Sequence, residues 1–472
     1  MAAIFSLDLS AVSAILILYL LSVLLLRRYH SPLSNIPGPF LASCTRLWHI
    51  IRIFVGDINI RSIREHERHG PFVRIAHDEV SVCHPDAIRT LLLNPIPKAP
   101  WYRVLALPDR RFQTPMSTTD SKRRVELAKN VASAYTLSNV IKSEKYMNET
   151  ISLMLDRFDQ FSDKQQPVEF DHWFNYLAFD IVGEVVFSQR FGFIEGGKDI
   201  DGSIANLRSL NAYITAAGYF QWLHDLTLGN PLLSKLNLLP NNHVFDTATA
   251  ALRRHRMTIT HLQAVATGTV GAGADTVSAA LQSFVYHMLR KPQCLEKLRA
   301  EIAVERAQGR CNDPIVSFAH AQNMAYLQAC IKESLRVFGP VPFGLARVSP
   351  KGGLSIGERH FPEGTKLSVN PWVVHYSKEL FGQDAAEYNP DRWMGEETKR
   401  IEKYYMPFGH GYNSCPGRHL ATIELSKVIA TLVRDYNIRQ QSPSQHWRYM
   451  AYFTAVPYGW PCYISKREDG LR

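Results

Sequence analysis

The chain has 472 residues, of which 46% are hydrophobic and 11% aromatic, so it is long enough to bury a sizeable core. Lys and Arg outnumber Asp and Glu by 53 to 43, which gives a formal net charge of +10. The basic residues are dispersed, and no zinc-finger, basic-zipper or RNA-recognition motif is present, which argues against a nucleic-acid partner. The seven cysteines are scattered without a CxxC pair, a usage typical of a reducing compartment.

The first predicted element is an apolar helix near the N-terminus. An uncharged run over residues 9–26 is followed at once by Arg27 and Arg28. A spanning helix needs about 17–25 apolar residues, and basic residues after the run favour an uncleaved signal anchor over a cleavable signal peptide. Under the positive-inside rule the arginines stay in the cytosol. We therefore expect a membrane anchor over residues 1–30 and one globular domain over residues 31–472, since no flexible linker divides the latter.

A glycine-rich segment follows in the second half of the chain. Residues 268–276 read GTVGAGADT, and an apolar pattern of helical period continues after them. Each interior glycine costs a helix about 1 kcal/mol relative to alanine, so three of them indicate close approach or local widening. A dinucleotide-binding loop would need a preceding strand and a third glycine where Thr276 stands, and neither is present. Packing of small residues against another helix remains an alternative here.

Two charged motifs come next. Glu333 and Arg336 share one face of a helix predicted over residues 326–337, a common pairing that contributes little when it is exposed. Residues 388–393 read YNPDRW and supply a further arginine, Arg392. The planar fork of arginine suits bidentate pairing with a carboxylate.

The most informative segment is residues 408–421, FGHGYNSCPGRHLA. It places Cys415 on a loop whose three glycines let the backbone approach a flat ligand, directly before an amphipathic helix. Free N–H groups at the start of that helix favour a thiolate. A lone cysteine is more often a small buried apolar residue, and a zinc site with His410 and His419 would lack a fourth ligand.

The loop resembles the haem-binding signature of the cytochrome P450 superfamily, and the other motifs occur in the order found in that family. Details near residues 340–344, 370–375 and 452–457 look like fungal microsomal members similar to pisatin demethylase. The resemblance implies a mainly α protein with the cytochrome P450 fold, small β-sheets and an N-terminal transmembrane helix. The positions that match the loop signature are Phe408, Gly409, Gly411, Cys415, Gly417 and Ala421.

The resemblance also implies roles for individual residues. Cys415 is the axial ligand of the iron in haem b, and Asp275 with Thr276 is the catalytic acid–alcohol pair that delivers protons to dioxygen. The remaining matches are the cofactor-binding residues Phe408, Gly409, Gly417, Ala272 and Gly273, and the buried structural triad Glu333, Arg336 and Arg392.

Two departures from the family pattern stand out. Asn413 occupies a position where most members carry an Arg or His that pairs with a haem propionate, and we expect Arg347, Arg123 and Arg124 to supply that charge instead. The stretch between Phe245 and Thr276 is also short, with no Pro or Gly before Gly268 to turn the chain between two helices. Either a helix is trimmed or a piece of the sequence has been lost.

The expected function is a haem-thiolate monooxygenase that inserts one oxygen atom of O2 into a C–H bond of a hydrophobic small molecule, in secondary metabolism or detoxification. Electrons would come from NADPH through NADPH–cytochrome P450 reductase, with cytochrome b5 as an optional second donor. The expected location is the endoplasmic reticulum membrane, single-pass, with a cytosolic catalytic domain. A substrate pocket is expected around Trp101, residues 210–223, Phe343 and Phe453.

Two other functions stay open. One is a haem-thiolate isomerase or dehydratase, and the other is a haem-binding protein whose turnover is impaired by the short region before Ala272. The intact Asp275–Thr276 pair favours the monooxygenase, because an enzyme that does not activate dioxygen has less use for a proton relay.

Overall fold

The first element is a helix over Leu9–Tyr29, α1, in a computed structural model that describes residues 9–107, 109–236 and 259–472. Within these residues it is the one helix long and apolar enough to span a membrane, with a mean hydropathy of 2.2 over Ser10–Tyr29 and no part of it buried. The helix ends in the basic turn of Arg27 and Arg28. The apolar helix predicted over residues 9–26 is therefore present.

Helices dominate the rest of the described chain. The first group is α2 (Phe40–Cys44), α3 (Leu47–Val55), α4 (Ile58–His69), α5 (Ser121–Ala132), α6 (Leu137–Val140), α7 (Glu144–Asp163), α8 (Phe170–Phe187), α9 (Phe193–Gly196), α10 (Ser203–Ala217), α11 (Gln221–Leu226) and α12 (Pro231–Lys235). The second group is α13 (Ile259–Arg290), α14 (Pro292–Ala307), α15 (Phe318–Ala321), α16 (Ala325–Val337), α17 (Pro371–His375), α18 (Lys378–Phe381), α19 (Thr398–Ile401) and α20 (Arg418–Asp435).

Short sheets lie beside the helices. Their strands are β1 (Phe72–Ala76), β2 (Glu79–Val82), β3 (Arg347–Val348), β4 (Leu354–Ile356), β5 (Arg359–Phe361), β6 (Lys366–Ser368), β7 (Tyr436–Gln440) and β8 (Cys462–Lys466). The largest sheet has the order β1-β2-β6-β3, in which only the β2–β6 pair is parallel. The pairs β4–β5 and β7–β8 are antiparallel and separate. The expectation of a mainly α fold with small sheets is met.

The core is built around α13. The largest buried cluster takes side chains from α7, α8, α13, α14, α16 and α20, and α8 is buried along most of its length. The last helix, α20, is buried continuously from Ile423 to Asp435. Because α13 and α20 both run through this core, the loop before α20 and the middle of α13 are held by rigid elements.

The glycine-rich segment does not interrupt its helix, since α13 is continuous from Ile259 to Arg290. The predicted helix over residues 326–337 is observed as α16. The prediction about the short stretch after Phe245 falls, up to residue 258, outside the described residues.

Candidate functional site

The loop that carries Cys415 is closed by its main chain. The Cys415 N–H donates to the Phe408 carbonyl at 2.8 Å. Gly409 and Gly411 have φ angles of 65° and 59°, a region that residues with a Cβ rarely adopt. A Cβ at Gly411 would also overlap the carbonyl oxygen of Leu92. The glycines therefore permit the turn that brings Cys415 to the start of α20.

The Cys415 thiol is the accessible one, since the other cysteines of the chain are all buried. Solvent reaches the side chain, but the surrounding protein limits its solvation, and this burial raises the pKa of the thiol. The main-chain N–H groups of Gly417 and Arg418 and the charge of Arg418 act in the opposite direction, because they stabilise the thiolate. An accessible sulfur with two N–H donors is suited to bind a metal.

One face of α13 is open. Gly268 and Ala272 are exposed and Thr276 is half-buried, and their spacing of four residues puts them on one stripe of the helix. The Thr276 hydroxyl donates to the Ala272 carbonyl at 2.7 Å, so the helix holds its proton while the hydroxyl oxygen can still accept a hydrogen bond. This stripe can therefore border a flat ligand and offer it a hydroxyl.

Tyr135 is hydrogen-bonded to α13 and lies within electrostatic range of Cys415. Its hydroxyl is 2.8 Å from Thr269 Oγ1 on α13. Burial raises the pKa of Tyr135, and the charge of a Cys415 thiolate raises it further. The phenol is thus close enough to Cys415 for the charge of the thiolate to affect its pKa. Since Tyr135 is also bonded to α13, the open stripe and the cysteine lie in one region.

Gly273 does not share the open stripe with Ala272. A Cβ at position 273 would lie 2.8 Å from Val182 Cγ2 on α8, tighter than the contacts that side chains normally make. The structure therefore corrects the pairing of Ala272 with Gly273. Ala272 faces open space, whereas Gly273 allows α8 and α13 to approach each other, which is the packing alternative for this glycine.

The Asp275 carboxyl points away from Thr276 into a buried network. Asn175 on α8 donates to its Oδ1 at 3.0 Å, and Asn211 on α10 donates to its Oδ2 at 3.0 Å. Thr454 adds a longer bond to Oδ2 at 3.4 Å. Burial raises the pKa of Asp275, and the three donors partly oppose that effect. The structure thus places the two members of the predicted pair in different surroundings.

Three cationic side chains meet without an acidic partner. Residues 97–99 pair with β3, which puts Lys98 opposite Arg347, and Arg124 on α5 acts electrostatically on both. Burial and these two arginines lower the pKa of Lys98 to about 7. Among the described residues, no carboxylate lies within ion-pair distance of any of the three. An anionic ligand would relieve their repulsion.

This cationic cluster, Lys98, Arg124 and Arg347, contains two of the residues predicted for haem propionates. Arg347 is buried, bonds to Tyr102, and leaves its Nε without a hydrogen-bond partner. Lys98 was not anticipated from sequence. It donates to the carbonyls of Pro115 and Met116 at 2.7 and 2.9 Å. Its one sequence signal is a lysine within the proline-rich apolar stretch NPIPKAPW.

Of the other two predicted propionate residues, Arg123 is turned to solvent, whereas Asn413 directly follows Tyr412, whose ring centroid lies 6.0 Å from the Arg124 guanidinium. Arg123 is exposed and pairs with Glu126 at 2.9 Å, so we remove it from the predicted contacts. The side chains of Arg123 and Arg124 point in different directions because adjacent residues of a helix lie on different sides of it. Asn413 lies in the Cys415 loop, and its Oδ1 is buried without a partner.

Glu333, Arg336 and Arg392 form one buried network. Arg336 binds both carboxylate oxygens of Glu333, at 2.9 and 2.7 Å, and Arg392 donates to Glu333 Oε1 at 3.0 Å. Trp393 adds a donor at 2.8 Å. The arginines also bind main-chain carbonyls that include those of His375, Ala385 and Phe381. Every charge therefore has partners, as a buried ion pair needs for stability.

The residues expected to border a substrate also come together. Trp101, Phe343 and Ile214 share one apolar cluster with Phe453 packed against it. The Trp101 ring is fixed by a bond from its Nε1 to the Thr215 carbonyl at 3.1 Å. A cavity of about 250 Å³ is lined by Trp101 and Phe343 and, on another side, by Glu79 and Lys366. The region can accept an apolar or aromatic molecule.

These features fit a flat, anionic iron macrocycle. An accessible cysteine can supply the metal ligand, and the open Ala272 stripe leaves room for a planar ring. The cationic cluster supplies charge for two carboxylates, and no carboxylate in the described part of the chain neutralises it. Of the three, the buried, uncompensated charges are the least readily explained without a ligand.

Comparison with known proteins gives a consistent result. The family model described as Cytochrome P450 matches residues 45–243 and 235–452. A protein named cytochrome P450 monooxygenase from Aspergillus terreus is 30% identical over 461 residues, covering 89% of this chain and 93% of that protein. A pisatin demethylase from Fusarium vanettenii is 28% identical, covering 91% of this chain and 88% of that protein. The similarity is therefore not confined to the Cys415 loop.

Proposed function

The chain belongs to the cytochrome P450 family of monooxygenases, and on that premise we propose that it inserts one oxygen atom of O2 into a C–H bond of a hydrophobic small molecule. The observation that carries the proposal is the accessible Cys415 thiol at the start of α20, with two main-chain N–H groups directed at it. The family implies haem and a flavoprotein reductase, and we assign Cys415 as the residue that ligates the iron.

The remaining contacts to haem follow from the cationic cluster and the open stripe of α13. Lys98, Arg124 and Arg347 would neutralise the propionates, and Ala272 would leave room above the ring. When bound, a haem with a cysteinate ligand supplies the activation of dioxygen and the oxidation of an unreactive C–H bond. The protein contributes orientation, charge neutralisation and an environment that limits water.

Thr276 is the residue we assign to proton delivery. Its hydroxyl already donates to the Ala272 carbonyl at 2.7 Å, and rotation about the Cβ–Oγ1 bond would redirect that proton to the open side of the helix. Asp275 follows as the proposed source of protons. Its carboxyl has a raised pKa and therefore holds a proton more readily than an exposed aspartate. To pass that proton on, the Asp275 carboxyl must break its hydrogen bonds with Asn175, Asn211 and Thr454.

We further propose the arrangement in the cell. Residues 1–30 would anchor the chain in the endoplasmic reticulum membrane, with residues 31–472 as a cytosolic haem domain. NADPH–cytochrome P450 reductase would supply electrons, with cytochrome b5 as a second donor. The length and exposure of α1 support the anchor, and the aromatic rings near Trp101 support an apolar substrate from secondary metabolism or detoxification.

The first experiment is the reduced, carbon-monoxide difference spectrum of microsomes that contain the full chain. We expect a strongly red-shifted Soret band that is lost in Cys415→Ser. Cys44→Ser is the matched control, since Cys44 is buried and distant in sequence from the loop. A band that survives in Cys415→Ser would contradict the assigned ligand.

A second experiment separates a monooxygenase from an isomerase or dehydratase. The protein is reconstituted with reductase and NADPH under isotopically heavy dioxygen and a panel of apolar aromatic compounds. A product that carries one heavy oxygen atom supports the proposal. Products formed without the label, or without a need for NADPH, would instead favour rearrangement chemistry.

A further inference from the structure

Arg74 joins the haem domain to the membrane helix. It lies in β1 and is fully buried. Its Nη2 donates to the carbonyl of Arg27, in the last turn of α1, at 2.8 Å, and to the carbonyl of His77 at 2.8 Å. Its Nη1 donates to the carbonyl of Leu33 at 3.3 Å. One guanidinium therefore binds both the helix end and the segment that leaves it.

The main chain at Arg74 strengthens this junction. The Arg74 N–H donates to the Pro37 carbonyl at 2.8 Å. A Cβ at Gly38 would overlap the Arg74 carbonyl oxygen, so the chain passes β1 at a distance that only glycine allows. The connection after α1 is consequently packed against the sheet at several points and does not act as a free hinge.

The electrostatics explain why an arginine stands there. No carboxylate forms an ion pair with Arg74 among the described residues, and burial together with Arg28 lowers its pKa. The carbonyls at the end of a helix lack intrahelical partners and carry partial negative charge. The end of α1 thus supplies the acceptors that a buried cation needs, and Arg74 supplies the donors that those carbonyls need.

An exposed apolar surface follows directly in the chain. On α3 the side chains of His49, Ile50 and Ile53 are buried. The opposite face is exposed, with Leu47, Phe54 and Val55 at 51%, 60% and 52% of full exposure. Apolar side chains clustered on one exposed face mark an interaction surface, and this one begins less than twenty residues after α1 ends.

We infer that Arg74 caps the carboxyl end of the membrane helix and so holds the haem domain in one orientation, with the exposed face of α3 in the lipid interface. The occupant of that face is the bilayer, because α3 packs against β1 and Arg74 on β1 binds the end of the helix that would cross it. The inference rests on the proposed anchoring by α1. An amphipathic helix of this kind gains from burying its apolar face at the headgroup boundary.

The test uses the full-length haem protein in phospholipid vesicles. A fluorescent label is attached at Phe54→Cys, since the native cysteines other than Cys415 are buried and Cys415 would be bound to iron. Quenching by lipids with a nitroxide near the headgroup reports contact with the interface. We expect strong quenching in the otherwise native chain and at least a threefold loss in Arg74→Gln. Arg64→Gln, an exposed arginine of α4, is the matched control.

Two readings keep the inference distinct from membrane anchoring itself. After alkaline carbonate washing, Arg74→Gln should remain in the membrane fraction as fully as the native chain, because α1 still spans the bilayer. Release of the native chain would instead contradict the proposed anchor. If Arg74→Gln gives no carbon-monoxide band, four residues inserted between His30 and Ser31 serve as the second variant, because they separate Arg27 from Leu33. Equal quenching in all variants, or no quenching in the native chain, would overturn the inference.

Discussion

Asn211 donates to Asp275 Oδ2 and to Thr454 Oγ1, each at 3.0 Å. One side chain of α10 thereby links the central helix α13 to the turn near the C-terminus. Burial opposes the charge of this carboxylate, whereas neutral amide and hydroxyl donors and the more distant charge of Arg208 favour it. Such a network is sensitive to the loss of a single donor.

Replacement of Asn211 by leucine should raise the pKa of Asp275 further. The change removes a donor that favours the carboxylate, so the acid stays protonated to a higher pH. The loss of one partner from a buried group should also cost about 1–3 kcal/mol of stability. Infrared difference spectra can follow the protonated carboxyl band against pH, with Asp275→Asn identifying it. An unchanged titration would show that Asn211 does not tune this acid.

Replacement of Lys98 by methionine should weaken haem retention. The substitution keeps the length of the side chain and removes one of three mutually repelling charges. We expect haem transfer to apomyoglobin to be about tenfold faster, which corresponds to about 1.4 kcal/mol. Arg123→Met is the control, because Arg123 pairs with Glu126 on the surface. Equal transfer rates in both variants would contradict the assigned role of the cationic cluster.

Replacement of Glu333 by glutamine should destabilise the fold strongly. It leaves Arg336 and Arg392 buried without their shared carboxylate, and breaking a buried pair in this way costs about 3–5 kcal/mol. Urea unfolding midpoints of the native chain and the variants measure this loss of stability. The control is Glu397→Gln, which breaks a surface pair with Arg400 at 2.5 Å and should change stability by less than about 1 kcal/mol. Similar midpoints for the two variants would refute a structural role for the triad.

Glu424 predicts a pH dependence of stability. It is fully buried on α20, both carboxylate oxygens lack hydrogen-bond partners, and burial raises its pKa from 4.5 to about 8. Because the folded state binds this proton more tightly than the unfolded state, stability from this group is greatest below pH 4.5 and is lost as pH rises towards 8. The unfolding temperature should fall between pH 5 and pH 8 in the native chain, within the interval that the two pKa values set. It should fall less in Glu424→Gln. A parallel decline in both proteins would contradict it.

Gly273→Ala should destabilise the protein through Val182. The new Cβ would lie 2.8 Å from Val182 Cγ2, and overpacking of this kind costs about 1–3 kcal/mol. Val182→Ala should recover most of that loss in the double variant, because it removes the opposing methyl group. A double-mutant cycle of unfolding free energies measures the coupling. Additive effects would show that Gly273 serves the open face of α13 and not its packing on α8.

Features that depend on local spacing could be predicted from the sequence. The turn before Cys415 follows from glycines that tolerate positive φ, and the helix after it follows from apolar periodicity. The pairing of Glu333 with Arg336 follows from a separation of three residues on one helix. The apolar helix near the N-terminus follows from the length of an uncharged run. In each case the interacting groups are neighbours along the chain, so their geometry is fixed by the backbone alone.

The directions of central side chains, and the distant groups that contact them, depend on the packing of the whole fold and could not be predicted from the sequence. Asp275 and Thr276 are adjacent in sequence, yet α8 and α10 hold the aspartate in a separate network. Gly273 packs on Val182, and Lys98 meets Arg347 through a strand pairing that no motif announces. Arg74 reaches the end of α1 because β1 packs close to the last turn of that helix. These contacts depend on how helices and sheets pack, a long-range property that residue spacing does not encode.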